Sequence, residues 1–159
     1  MIKIFFIFFM FFSSLVPTVV HSAISISVNG GWYETIDKND LTSGAGSNLP
    51  DTYTSVSNEV TISISGTTGP EDSWRVEVGK SDDTWHQDLR PWIRRTSDGI
   101  GGTVDGGTSL QQVTDVNNTF FTGSGDITGI NIQVRLTGVS IHILPALRAT
   151  TLYYTVTDM

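Results

Sequence analysis

Apolar and polar residues alternate along much of the chain. Ile24, Ile26 and Val28 alternate with Ser25 and Ser27, and Val60, Ile62 and Ile64 with Thr61, Ser63 and Ser65. Trp74, Val76 and Val78 flank Arg75 and Glu77, while Ile130, Ile132, Val134 and Leu136 flank Asn131, Gln133 and Arg135. Val139, Ile141 and Ile143 keep the period, as do Leu152, Tyr154 and Val156. A period of two turns one face to a core and the other to water, as in antiparallel strands. Residues 32–36, 89–95 and 110–113 predict weaker strands. In this pattern Trp74 and Trp32 face the core.

Turn residues separate these runs. Asn29-Gly30-Gly31 is a tight-turn signal between the first two strands. Residues 66–70 separate two more, and Ser97-Asp98-Gly99 and Asp105-Gly106-Gly107 bracket a glycine-rich excursion. Gly138 marks a bulge or bend between two alternating runs. The longest predicted loop covers residues 38–52. No repeat and no linker divides the chain. Eight or nine short strands at this spacing predict an all-β, antiparallel β-sandwich of immunoglobulin-like or related Greek-key type, with a closed barrel as the lesser alternative.

Composition sharpens the class. From Ala23 onward there are 20 Thr, 12 Ile and 11 Val, against 4 Ala and 8 Leu. β-Branched side chains fit a pleated surface better than a helix. The start of the chain differs: Lys3 precedes an apolar run holding six of the eight Phe residues, and Ser13 and Ser14 follow. That order is the pattern of a secretory signal peptide, and the run is too short for a membrane anchor. Cleavage after Ser22 fits best, with cleavage after Ala23 second. The expected organisation is a signal peptide over residues 1–22 and one domain over 23–159, with no membrane span in the mature form. The expected location is secreted, extracellular or cell-surface, through the periplasm if the source is a two-membrane bacterium.

Charge and cysteine usage then exclude partners and chemistries. The net charge of −7 becomes −8 once Lys3 is removed, which argues against nucleic acid. The chain has no Cys, so it carries no disulfide framework, thiolate metal site or cysteine nucleophile. His142 sits on the polar face of an expected strand, and His86 stands in a wet stretch with Asp82, Asp83 and Asp88. Both read as solvated imidazoles. Gly123-Ser124-Gly125-Asp126 lacks the spacing of a nucleophile elbow and reads as a turn. Asp37-Lys38-Asn39-Asp40 resembles half of a calcium loop but lacks the required Gly and Glu, so an Asx turn is the simpler reading. The expectation is no enzyme, no resident metal and no cofactor, the alternatives being calcium at Asp37-Lys38-Asn39-Asp40 and a metal held by His86 with Asp82, Asp83 and Asp88.

Two tryptophans remain as candidate ligand contacts. If Ile93 points inward, Trp92 points outward, and Trp85 stands in the loop before it. Exposed indoles make platforms for a sugar ring or a neighbouring subunit. The first residues after the cleavage point, with Ile24, Ile26 and Val28 on one face, form a terminal strand free to exchange between copies.

The end of the chain carries a resemblance. Leu136-Thr137-Gly138, then Pro145, then Tyr154-Thr155-Val156-Thr157 is similar to the endings of exported bacterial β-sandwich proteins of the fimbrial and matrix-fibre type. The Cys pair of many chaperone-assembled pilins is absent, and Pro145-Ala146-Leu147-Arg148 stands where such proteins often have Pro-x-Gly-x-Tyr. The resemblance implies a structural subunit of an extracellular fibre, pilus-like or matrix assembly that self-assembles by strand addition. A non-catalytic module binding a polysaccharide is the alternative.

Overall fold

The computed structural model describes residues 23–82 and 84–159. The predicted leader over residues 1–22 lies outside them. The described residues form nine antiparallel strands in one sheet: β1 Ser25–Gly30, β2 Thr52–Thr54, β3 Val60–Ser65, β4 Ser73–Asp82, β5 Arg90–Arg95, β6 Ile100–Gly106, β7 Gln111–Gln112, β8 Asn118–Thr137 and β9 Thr150–Asp158. The all-β expectation and the strand number hold. The sheet curls into a nearly closed, barrel-like form.

β8 is its spine. Its 20 residues pair along one side with β4, then β3, then β2, and along the other with β6, then β5. β9 lies outside β4, β1 outside β3 and β7 outside β5. A strand this long serves two layers only if it bends, and its register shifts by an extra residue opposite Val76/Glu77, Gly101/Thr103 and Ile62/Ile64. Gly125 (φ 70°) and Gly129 (φ 79°) supply the left-handed backbone in the second and third of these bulges. After Gly129 the inward set changes from Phe121 and Ile127 to Ile130, Ile132, Val134 and Leu136.

The predicted inward sets of β3, β4 and the later half of β8 form the core with Phe120, Phe121, Ile93 and Val113. Trp74 meets Phe121 edge-on, ring centroids 6.1 Å apart, and its indole N–H donates to the Gly125 carbonyl at 2.9 Å. Arg95 shares the inward phase of β5 and is buried. It donates from Nε to the Gly106 carbonyl at 2.9 Å and pairs with Asp98, tying β5 to β6.

Six local expectations are corrected. Residues 32–36 and 139–143 alternate but form no strand. Their apolar members Trp32, Ile36, Val139 and Ile143 close one end of the barrel over Leu89 and Leu136 instead of joining a ladder. His142 therefore sits in an exposed turn, not on a strand face. Asn29-Gly30-Gly31 is no hairpin: Gly30 ends β1 opposite Val60, and a Cβ there would stand 2.2 Å from the Glu59 carbonyl oxygen. The glycine-rich excursion is the strand β6, and Gly123-Ser124-Gly125-Asp126 lies inside β8.

Candidate functional site

The curl of the sheet brings β1 and β9 near one another, yet no ladder joins them. Between them lies a groove of about 470 Å³, with Val28 and Gly30 on one wall and Leu152 and Tyr154 on the other. It continues into a second depression of about 530 Å³ beneath the segments that close the barrel end. Trp32, Trp85, Leu136 and Leu147 line both. The rim carries Tyr33, Leu144 and Leu147, each 79% exposed, an apolar concentration beyond scattered surface residues.

Strand alternation explains the open inner wall. Leu152, Tyr154 and Val156 point inward from β9 but are only half-covered, and Val28 on β1 remains 42% exposed. The Tyr154 hydroxyl is buried without a hydrogen-bond partner among the described residues, and burial pushes its phenol well above the ordinary 10.0. Removing an unpartnered buried hydroxyl relieves a desolvation cost, so Tyr154→Phe should stabilise the fold by about 1 kcal/mol. Above pH 10 the gain should grow. The unfolded tyrosine ionises there while the folded one keeps its proton, so stability present below that pH is lost as pH rises. Urea unfolding of both proteins on either side of pH 10 checks this, and a destabilised Tyr154→Phe would show that the hydroxyl is bonded.

The two predicted tryptophans are not brought together. Trp85 packs on the cluster of Leu89, Leu136 and Val139, and its N–H donates to the Leu89 carbonyl at 2.8 Å. Trp92 stands opposite Arg135 in the β5–β8 ladder, hence on the other face of the sheet from Leu136. Its N–H donates to Thr137 Oγ1 at 2.9 Å, which fixes the half-exposed ring. Ile24 and Ile26 are half-buried against the core, and Val28 lines the groove.

The other candidate groups have local roles. Asp37 caps the 3-10 turn Lys38–Asp40, accepting from the Asn39 N–H at 2.7 Å, while Asp40 accepts from the Asp37 N–H at 2.8 Å. Ser124 shares a hydrogen bond with Thr103 across the β6–β8 ladder at 3.0 Å. His86 Nδ1 lies 3.7 Å from the Asp88 carboxylate, and the His142 N–H donates to Ser140 Oγ at 3.2 Å. Among the described residues no three His, Asp or Glu gather where they would hold a metal ion, and no helix is long and apolar enough to cross a membrane.

Sequence reasoning missed Leu147, which it treated only as part of a turn, and the groove itself. Both depend on β1 and β9 meeting across the curl, which no local pattern encodes. Comparison with known proteins finds no matching family, no matching characterised protein and no matching solved structure.

Proposed function

We propose that this chain is an exported, non-enzymatic subunit of an extracellular fibre, pilus-like or matrix assembly, joined copy to copy by exchange of β1. On this reading the curled sheet is an immunoglobulin-like or related Greek-key sandwich, and residues 1–22 direct export to the cell surface or beyond. The observation that carries the proposal is how lightly β1 is held. It has one ladder, from Ser25 opposite Ser65 to Gly30 opposite Val60, and it is exposed except at the half-buried Ile26. Gly31 follows with no atom of the described residues within 4 Å of where its Cβ would stand, so the connection can redirect the strand. A neighbour's β1 laid against β3 recovers the same hydrogen bonds and apolar contacts. Exchange therefore costs little beyond association, and a head-to-tail contact that does not close propagates as a filament.

The Ser25 and Ser65 hydroxyl oxygens lie 3.0 Å apart, and the natural chain has no cysteine to interfere. A Ser25→Cys/Ser65→Cys protein should therefore report which chain supplies the strand. Filaments oxidised after assembly should run as a covalent ladder on a non-reducing gel, and monomers oxidised beforehand should not polymerise until reduced. Deleting residues 23–28 should leave a domain that forms no filaments by electron microscopy, and the peptide of that sequence should bind beside β3 and raise its stability without restoring filaments, since a free strand joins no two copies. Filaments holding only intrachain disulfides, or a wild-type protein monomeric at high concentration, would overturn strand exchange.

A further inference from the structure

The outer face of β5 and the end of β8 differs in charge from the rest of this acidic chain. Arg90, Trp92 and Arg94 are alternate residues of β5 and share the face opposite to Ile93. The ladder sets Arg135 opposite Trp92, with Gln112 opposite Trp92 on the other side. Directly opposed residues of antiparallel strands project to the same face. The indole is thus bordered by Arg90 and Arg94 along its own strand, about 7 Å away per two residues, and by Arg135 across the ladder about 5 Å away. Three of the six arginines of a chain with net charge −7 meet here.

Among the described residues none of the three has an ion-pair partner. The ion pairs among the described residues are Arg75 with Glu77, Lys80 with Asp82, His86 with Asp88 and Arg95 with Asp98. Arg94 gives only its Nε, to Gln133 Oε1 at 2.8 Å, and Gln133 is anchored in turn to the Ser55 carbonyl at 2.9 Å. Arg135 gives its Nε to Thr54 Oγ1 at 3.2 Å. Among the described residues the terminal guanidinium nitrogens of both bond nothing, and they are held forward by neutral groups. With its N–H tied to Thr137, the half-exposed indole of Trp92 stands among guanidinium forks, unpaired among the described residues, of the kind that match carboxylates.

We propose that this face binds an acidic, uronate-bearing polysaccharide, one sugar ring stacked on Trp92 and neighbouring carboxylates met by Arg90, Arg94 and Arg135. A pyranose offers an apolar C–H face to the indole and projects its carboxylate from the ring edge, where the arginines stand. The negative charge elsewhere on the chain opposes the long phosphate track that nucleic acid would need. The inference does not rest on strand exchange, because the face lies on β5 and β8 and β1 takes no part in it.

Native affinity electrophoresis tests it with the full mature chain. Polygalacturonate in the gel should retard the protein at low salt, and neutral dextran should not. Trp92→Ala should abolish the retardation. Arg90→Gln and Arg135→Gln should each weaken it about tenfold, the worth of one charged hydrogen bond. Arg75→Gln makes the same charge change on β4 and should leave retention as it was. The Arg90 residue is exposed and its side chain makes no bond among the described residues, so its variant tests the face even if Trp92→Ala fails to fold. Equal weakening by Arg75→Gln, equal retention by an oligo(dT) gel, or no retention of the folded wild type would each overturn the proposal.

Discussion

Ile62→Asp should leave no folded protein. Ile62 is 0% exposed and stands between Val28 of β1 and Ile130 of β8 on the inner face. A carboxylate there finds no cation, since β3 presents Val60 and Ile64 on either side and the buried Arg95 is committed to Gly106 and Asp98. Burying it costs several kcal/mol, whether it stays charged or takes up a proton, against a total stability of about 5–15 kcal/mol for a domain. Thr61→Asp, one residue away on the half-exposed outer face, should change stability by no more than about 0.5 kcal/mol. Gln133→Asp is also on an outer face, yet it should cost about 1 kcal/mol, because Gln133 links Arg94 to the Ser55 carbonyl. Far-UV circular dichroism and urea unfolding separate the three. A cooperative transition for Ile62→Asp, or equal loss from Thr61→Asp, would show that the inner and outer faces are wrongly assigned.

That contrast depends on parity, and parity is the part of the fold legible in the amino-acid sequence. Val60, Ile62 and Ile64, then Trp74, Val76 and Val78, then Ile130 through Leu136, all face the core as their alternation predicts. Parity misleads where apolar residues are held by something other than a ladder. Trp32 and Ile36 alternate because they plug the barrel end, and Val139 and Ile143 join the same plug. It fails in the other direction at β6 and the first half of β8. Positive-φ glycine is required both by a tight turn and by a bulge within a strand, so Gly101 and Gly125 read as breaks while in fact bending a continuous ladder. Phe120 and Phe121 are both buried because one of them is the extra residue of such a bulge, which erases the period locally. The candidate sites divide the same way. That Trp92 points away from Ile93 follows from one strand alone. That Arg135 stands beside it requires the β5–β8 register, which is set by long-range pairing.

The glycine misread as part of a turn also marks where Trp74 packs tightly against β8. Gly123 lies in β8 opposite Trp74 of β4 and Val104 of β6. A Cβ on it would fall 2.4 Å from Trp74 Cη2 and 2.3 Å from the Thr103 carbonyl oxygen. The indole therefore occupies the space a side chain would take, with its N–H directed at the Gly125 carbonyl and its edge against Phe121. A methyl group at residue 123 must displace either a fully buried ring or the backbone of an edge strand. Gly123→Ala should cost about 3 kcal/mol, at the upper end for overpacking a core, and Gly123→Val more. The lost order should appear first at Trp74, as a weakened near-UV circular dichroism signal and an exposed-indole fluorescence shift, with the urea midpoint falling in parallel. Gly31→Ala makes the same chemical change where no atom of the described residues stands within 4 Å of the new methyl. It should leave both signals alone and shift stability by no more than about 0.5 kcal/mol. Removing Gly therefore matters in proportion to what lies over it, not because a turn is lost. A Gly123→Ala protein as stable as Gly31→Ala would mean that Trp74 does not lie against β8, and the bend that brings β4, β6 and β8 around one core would have to be redrawn.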